Sequence, residues 1–112
     1  MTINIPSKQK LLLEYLVSST DTFAVCKGIL KSAYFDPEYR KTVEFITQYY
    51  DKYSTTPDVD QIAAETRLQL QPREVTRDQI KYCSNEIETF CRRKALESAI
   101  LAAPEYIESG VS

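Results

Sequence analysis

Apolar residues return along this chain at steps of three and four, and the breaks between them fall at serine, threonine, aspartate and proline. The first such segment runs from Ser7, a suitable N-cap, to about Ser18. Within it Leu12, Tyr15 and Leu16 stand at i, i+3, i+4, and Leu11, Leu13 and Val17 widen the apolar face. That spacing predicts a helix with a broad buried side. Ser18, Ser19, Thr20 and Asp21 interrupt the pattern and offer a second cap, after which Phe23, Cys26, Ile29 and Leu30 predict a short helix reaching Lys31. Tyr34 and Phe35 then lead into Asp36-Pro37, where the residue before proline is pushed out of the helical region and the chain turns.

Asp36 as N-cap with Pro37 at the first helical position is a strong start signal, because proline lacks an N–H that would be unpaired there anyway. The third helix then carries Tyr39, Val43, Ile46, Tyr50 and Tyr53 on one stripe, with Phe45 and Tyr49 on its flank. So many aromatics invite a reading as a base-stacking platform, but their core periodicity and the lack of interleaved basic residues assign them to packing. Ser54 to Pro57 end that helix. Asp58 with Gln61 three positions on predicts a capping box opening a fourth helix through Val59, Ile62, Ala63 and Thr66. Leu68 and Leu70 alternate with glutamines, but one strand has nothing to pair with, so the stretch to Thr76 is read as loop.

Thr76 with Gln79 predicts another capping box, and Ile80, Cys83, Ile87, Cys91 and Ala95, with Phe90 beside them, predict the longest helix of the chain. Pro104 is expected to kink it or restart it, and Gly110 to cap it. At roughly 25 to 30 residues this helix outruns a small core, which points to a partner or another copy of the chain. Ala95, Ser98, Ala99, Ala102 and Ala103 leave a low-profile face, and Glu88 with Arg92 and Arg93 with Glu97 are spaced for i, i+4 ion pairs. The fold class expected is all-α, a compact bundle of about five helices with a long C-terminal helix.

Composition narrows the function. The 112 residues carry 14 basic and 16 acidic side chains, so general nucleic-acid binding through a basic surface is disfavoured. With no histidine, neither a Ser-His-Asp arrangement nor a histidine metal site can be built, and Gly28 and Gly110, the two glycines, start no phosphate-binding loop. Asp58 and Asp60 are assigned to capping and helix-dipole compensation rather than metal binding. Cys26, Cys83 and Cys91 form no C-x-x-C pair; together with an N-terminus lacking a signal peptide, they suggest a reducing cytoplasm and buried thiols. No apolar run is long enough to span a membrane.

Several segments together resemble a known family. Tyr34-Phe35-Asp36-Pro37-Glu38-Tyr39-Arg40, Val43-Glu44-Phe45-Ile46, Tyr50-Asp51-Lys52-Tyr53 and Thr56-Pro57-Asp58 look like the amino-terminal domain of DnaB-type replicative DNA helicases, particularly those of bacteriophages. Phe90-Cys91-Arg92-Arg93-Lys94-Ala95 is similar to the Arg-x-[Lys/Arg]-Ala stretch that enters the helical hairpin of that domain. The resemblance covers nearly the whole chain, 1–112, with 80–112 as the start of the hairpin. Two departures stand out: Leu68 to Thr76 is short where bacterial members carry a further helix, and Pro104 interrupts the first hairpin arm. A second arm, a linker and the motor domain are missing after Ser112, so the resemblance implies a fragment of a longer protein.

What the resemblance implies is a collar domain that helps assemble the hexamer and docks primase and the helicase loader, touching DNA only indirectly. ATP and Mg²⁺ belong to the motor, so this segment is expected to be no enzyme and to hold no cofactor. The oligomerisation and partner surface is then Ile80 to Ile107, with Ile87, Phe90, Arg92, Arg93, Lys94, Leu96 and Ile100 as interface residues. The location expected is the cytoplasm, that of the host if the protein is phage-encoded. Two alternatives stay open: a stand-alone helical adaptor of a phage replisome, a helicase loader or inhibitor, and a small nucleic-acid binder using its tyrosines, which the acidic balance disfavours.

Overall fold

The computed structural model describes residues 7–111, and the side chains of 7–100. Its elements are helices α1 (Lys8–Ser18), α2 (Thr20–Cys26), α3 (Pro37–Tyr53), α4 (Val59–Thr66) and α5 (Ile80–Val111), with short 3-10 turns at Ser32–Tyr34 and Arg77–Gln79. Among the described residues there is no strand, and no helix is long and apolar enough to cross a membrane. The expectations for Pro104 and Gly110 fall outside the residues whose side chains are described.

Local chemistry sets most boundaries. Ser7 Oγ accepts from Lys10 N–H at 3.2 Å and pairs with the Tyr39 hydroxyl at 2.7 Å, so the cap of α1 is also a tie to α3. Ser19 Oγ accepts from Thr22 N–H at 3.2 Å to open α2. At the start of α3 the Asp36 carboxylate makes no cap bond; instead its N–H donates to Gln9 Oε1 at 2.8 Å, while Pro37 holds the first turn. Asp58 and Gln61 form the full reciprocal box of α4, at 2.8 and 3.0 Å. Thr76 N–H donates to Gln79 Oε1 at 3.2 Å, but the turn it opens is 3-10 before α5 begins.

Two expectations are corrected. The second helix stops at Cys26 rather than Lys31; the chain bends through Lys27 to Ile29, leaving Ile29 40% exposed. Tyr53 is 54% exposed, because α3 runs past the layer it packs on. Helices α3 and α4 both end on left-handed residues, Ser54 at φ 59° and Arg67 at φ 62°, a conformation that glycine adopts without steric cost.

The core gathers around α1, which touches α2, α3 and α5. Leu12, Leu13 and Leu16 are fully buried, and with Phe23, Phe35, Val43, Ile46, Ile62 and Ile87 they make one contiguous cluster. The same enclosure takes in Glu14, which is 1% exposed. Its carboxylate accepts from Arg73 Nη2 at 2.8 Å and Nε at 3.0 Å through one oxygen, and from Gln71 N–H at 2.7 Å through the other. Arg73 N–H donates to Ser18 Oγ at 2.8 Å. The long connection between α4 and α5 is thereby clamped across α1, with Leu70 buried beneath it.

Three stability changes follow, each measured by urea denaturation. Arg73→Ala leaves a buried carboxylate with one donor and should cost about 2 kcal/mol, whereas Lys27→Ala, which breaks the exposed pair with Asp51, should cost less than about 1 kcal/mol. Arg67→Gly should stabilise the chain by up to about 1 kcal/mol by relieving the left-handed cap.

Candidate functional site

Along its first three turns α5 is a core helix. Cys83, Ile87 and Cys91 are all at most 2% exposed, and they face α2 at four-residue steps. Phe90 closes the side of this contact, its ring 4.9 Å from that of Phe35. After Cys91 the body of the domain no longer covers the helix. Leu96 is 61% exposed and Ile100 58%, and the neighbouring Ala95, Ser98 and Ala99 are exposed as well.

The interface residues expected from the resemblance therefore separate. Ile87 is 0% exposed and belongs to the core, so it cannot meet a partner while the domain is folded; the correction follows from α5 lying along α2 at that level. Phe90 is half-buried, with Lys94 Nζ 6.0 Å from its ring centroid. Arg92, Arg93, Leu96 and Ile100 are exposed and Lys94 is partly so. These five lie on the part of α5 that leaves the body. At its root a shallow groove of about 250 Å³ runs between Gly28, Ile29 and Tyr34 on one side and Cys91, Arg92 and Ala95 on the other.

The basic triplet is largely compensated within the helix. Arg92 pairs with Glu88, and Lys94 Nζ lies 3.4 Å from Glu97. The expected pair of Arg93 with Glu97 is not made, since Glu97 is engaged by Lys94 one turn back. Arg93 has no ion-pair partner among the described residues. One free cation beside two neutralised ones is a weak phosphate site and a reasonable rim for a protein contact. Sequence reasoning missed Ile29, read as core face of the second helix; the one signal for its exposure is Gly28, which ends helical periodicity just before it.

The three cysteines, candidates for nucleophilic or ligand chemistry by residue type, lie buried and unbridged between α2 and α5. Burial pushes the Cys91 thiol up to about 11, with Cys26 adding a smaller push. Burial also raises Cys83 and Cys26, and Cys26 Sγ donates to the Ser84 carbonyl at 3.9 Å, a contact that favours the protonated thiol. At neutral pH these thiols stay protonated and have no nucleophilic character. Among the described residues no three acidic or cysteine side chains are grouped to hold a metal ion, and Asp58 is committed to its cap.

Compared with models of protein families, with curated proteins and with solved structures, the chain finds no match.

The raised Cys91 thiol gives a pH dependence of defined sign. The native state keeps this proton at a pH where the unfolded chain, at an ordinary value of 9.0, has lost it, so stability should fall as pH rises from about 9 to about 11. Urea midpoints taken across that range should decline for the parent chain and decline less for Cys91→Val.

Proposed function

We propose that this chain is the amino-terminal collar domain of a DnaB-type replicative DNA helicase, with α5 as the element through which copies associate. The observation that carries the reading is the emergence of α5 from the body after Cys91, with Leu96 and Ile100 exposed on a helix that continues beyond the core. Apolar side chains on a helix that has left its own core are typical of surfaces that a second protein covers. On this reading Leu96 and Ile100 are the apolar anchors, Arg92, Arg93 and Lys94 form the polar rim, and the groove at Ile29 and Tyr34 continues the surface onto the body. Primase and the helicase loader are the partners that the assembled collar would dock in the cytoplasm. ATP and Mg²⁺ chemistry belongs to a motor domain outside this chain.

The test is sedimentation equilibrium on the purified chain over a wide concentration range. Reversible dimers or larger species are expected. Leu96→Glu combined with Ile100→Glu should weaken association at least about tenfold, as loss of central apolar anchors does. Charge reversal at Arg92, Arg93 and Lys94 should reduce both self-association and binding of primase. A strictly monomeric chain, or association indifferent to all these changes, would overturn the assignment and leave a stand-alone adaptor as the reading to pursue.

A further inference from the structure

The third helix carries more aromatic side chains than the core takes. Phe45, Tyr49 and Tyr53 stand four residues apart and so share one face of α3. Their successive ring centroids are 6.0 and 4.6 Å apart, in tilted pairs. None of the three is buried, so assigning Tyr49 and Tyr53 to the core by periodicity does not hold. Opposite them α4 presents Gln61, Ala64 and Glu65, and an open trough of about 410 Å³ lies between the two helices.

The trough has a direction. Helix α4 turns back along α3, its last residue Thr66 accepting from Thr42 Oγ1 at 2.9 Å, so Glu65 sits near the start of the aromatic row. There Glu44 and Glu65 stand with Lys41 and Gln48 around an adjoining hollow. Among the described residues neither carboxylate has an ion-pair partner. At the other end Lys52 Nζ lies over the Tyr53 ring, 5.3 Å from its centroid.

We propose that this trough binds an extended, proline-rich segment of a partner protein, with a basic side chain of that segment lying over Glu44 and Glu65. Such a segment adopts the polyproline II form without internal hydrogen bonds, so it brings apolar rings and free carbonyls at low ordering cost. Aromatic walls accept the rings, and tyrosine hydroxyls and glutamine amides donate to the carbonyls. Two unpaired carboxylates against Lys41 leave that end net negative, which complements a guanidinium. The same carboxylates oppose a single-stranded nucleic acid, whose phosphates would find only Lys41 and Lys52 for neutralisation. Helix α5 rests on α1 and α2, so occupancy of the α3–α4 trough does not depend on self-association through α5.

The experiment is fluorescence anisotropy of the full chain with three labelled probes: an oligoproline peptide ending in an arginine pair, the same peptide ending in a glutamate pair, and an oligothymidine. The arginine peptide should bind saturably and the glutamate peptide about tenfold more weakly or less. Tyr53→Ala, at a side chain exposed enough to leave the core intact, should lower affinity for the arginine peptide about tenfold, and Glu65→Lys should remove the preference between the two peptides. Circular dichroism of both variants should match the parent. Absence of saturable binding by the arginine peptide, tighter binding of the oligothymidine, or affinities untouched by both substitutions would overturn the proposal.

Discussion

The enclosure of α1 is the constraint from which the rest of the domain follows. A helix touched by α2, α3 and α5 has little surface left for water, and the residues that suit it are leucines at 12, 13 and 16. One carboxylate, Glu14, is caught inside this enclosure, where an unpaired charge would be strongly unfavourable. Arg73 and the Gln71 N–H satisfy it, and because they come from the connection between α4 and α5, that connection cannot float free. The clamp fixes where α5 begins, and so which residues of α5 meet α2. An ion pair of this kind adds little net stability over an apolar pair of the same shape, but it specifies one arrangement of the loop, since any other leaves the charge unpaired.

This also explains which features could be read from the chain alone. Caps are local: the caps at Ser7 and Ser19, Pro37 at the start of α3, and the Asp58–Gln61 box act within a few residues, and each stands where the sequence places it. The Glu14–Arg73 clamp joins residues far apart in sequence, and nothing near Glu14 distinguishes it from a solvent-facing glutamate. Periodicity names the face of a helix but not how far its neighbour extends along it. Tyr39, Val43 and Ile46 are buried as their stripe requires, yet Tyr53 on the same stripe emerges because the layer beneath has ended. Ile87 and Leu96 show the same limit on α5: both belong to its apolar set, and one is sealed in the core while the other stands in the open. Of the surface expected on α5, Ile87 is therefore sealed, and the exposed residues begin at Arg92, beyond the last buried turn.

The two exposed surfaces differ in physical character. On α5 the apolar residues are aliphatic, spaced along a lone helix, with charges that mostly cancel within the helix itself. Such a face suits another helix, whose side chains interdigitate with small residues such as Ala95 and Ala99. On α3 and α4 the lining is aromatic and amide-bearing, held between two helices as a trough with fixed walls. That shape suits a narrow, extended chain more than a helix of about 10 Å diameter.

The difference in support is as telling as the difference in chemistry. The aromatic row is held by ring-to-ring contacts and by the α3–α4 packing, which the Thr42–Thr66 bond ties at one end. Its geometry is therefore present before any ligand arrives, which limits the ordering cost of binding. The emergent part of α5 has no such scaffold between Arg92 and Ile100: it is held by the Glu88–Arg92 and Lys94–Glu97 pairs, by alanine's helical preference and by continuity with the buried turns before it. Intrahelical pairs of this kind contribute only a few tenths of a kcal/mol each, so most of the stabilisation available to this part of the helix lies in apolar surface that the domain itself does not cover. The body of the domain is held through α1 and its clamp, and the buried turns of α5 set the direction in which its exposed part, from Arg92 to Ile100, leaves that body.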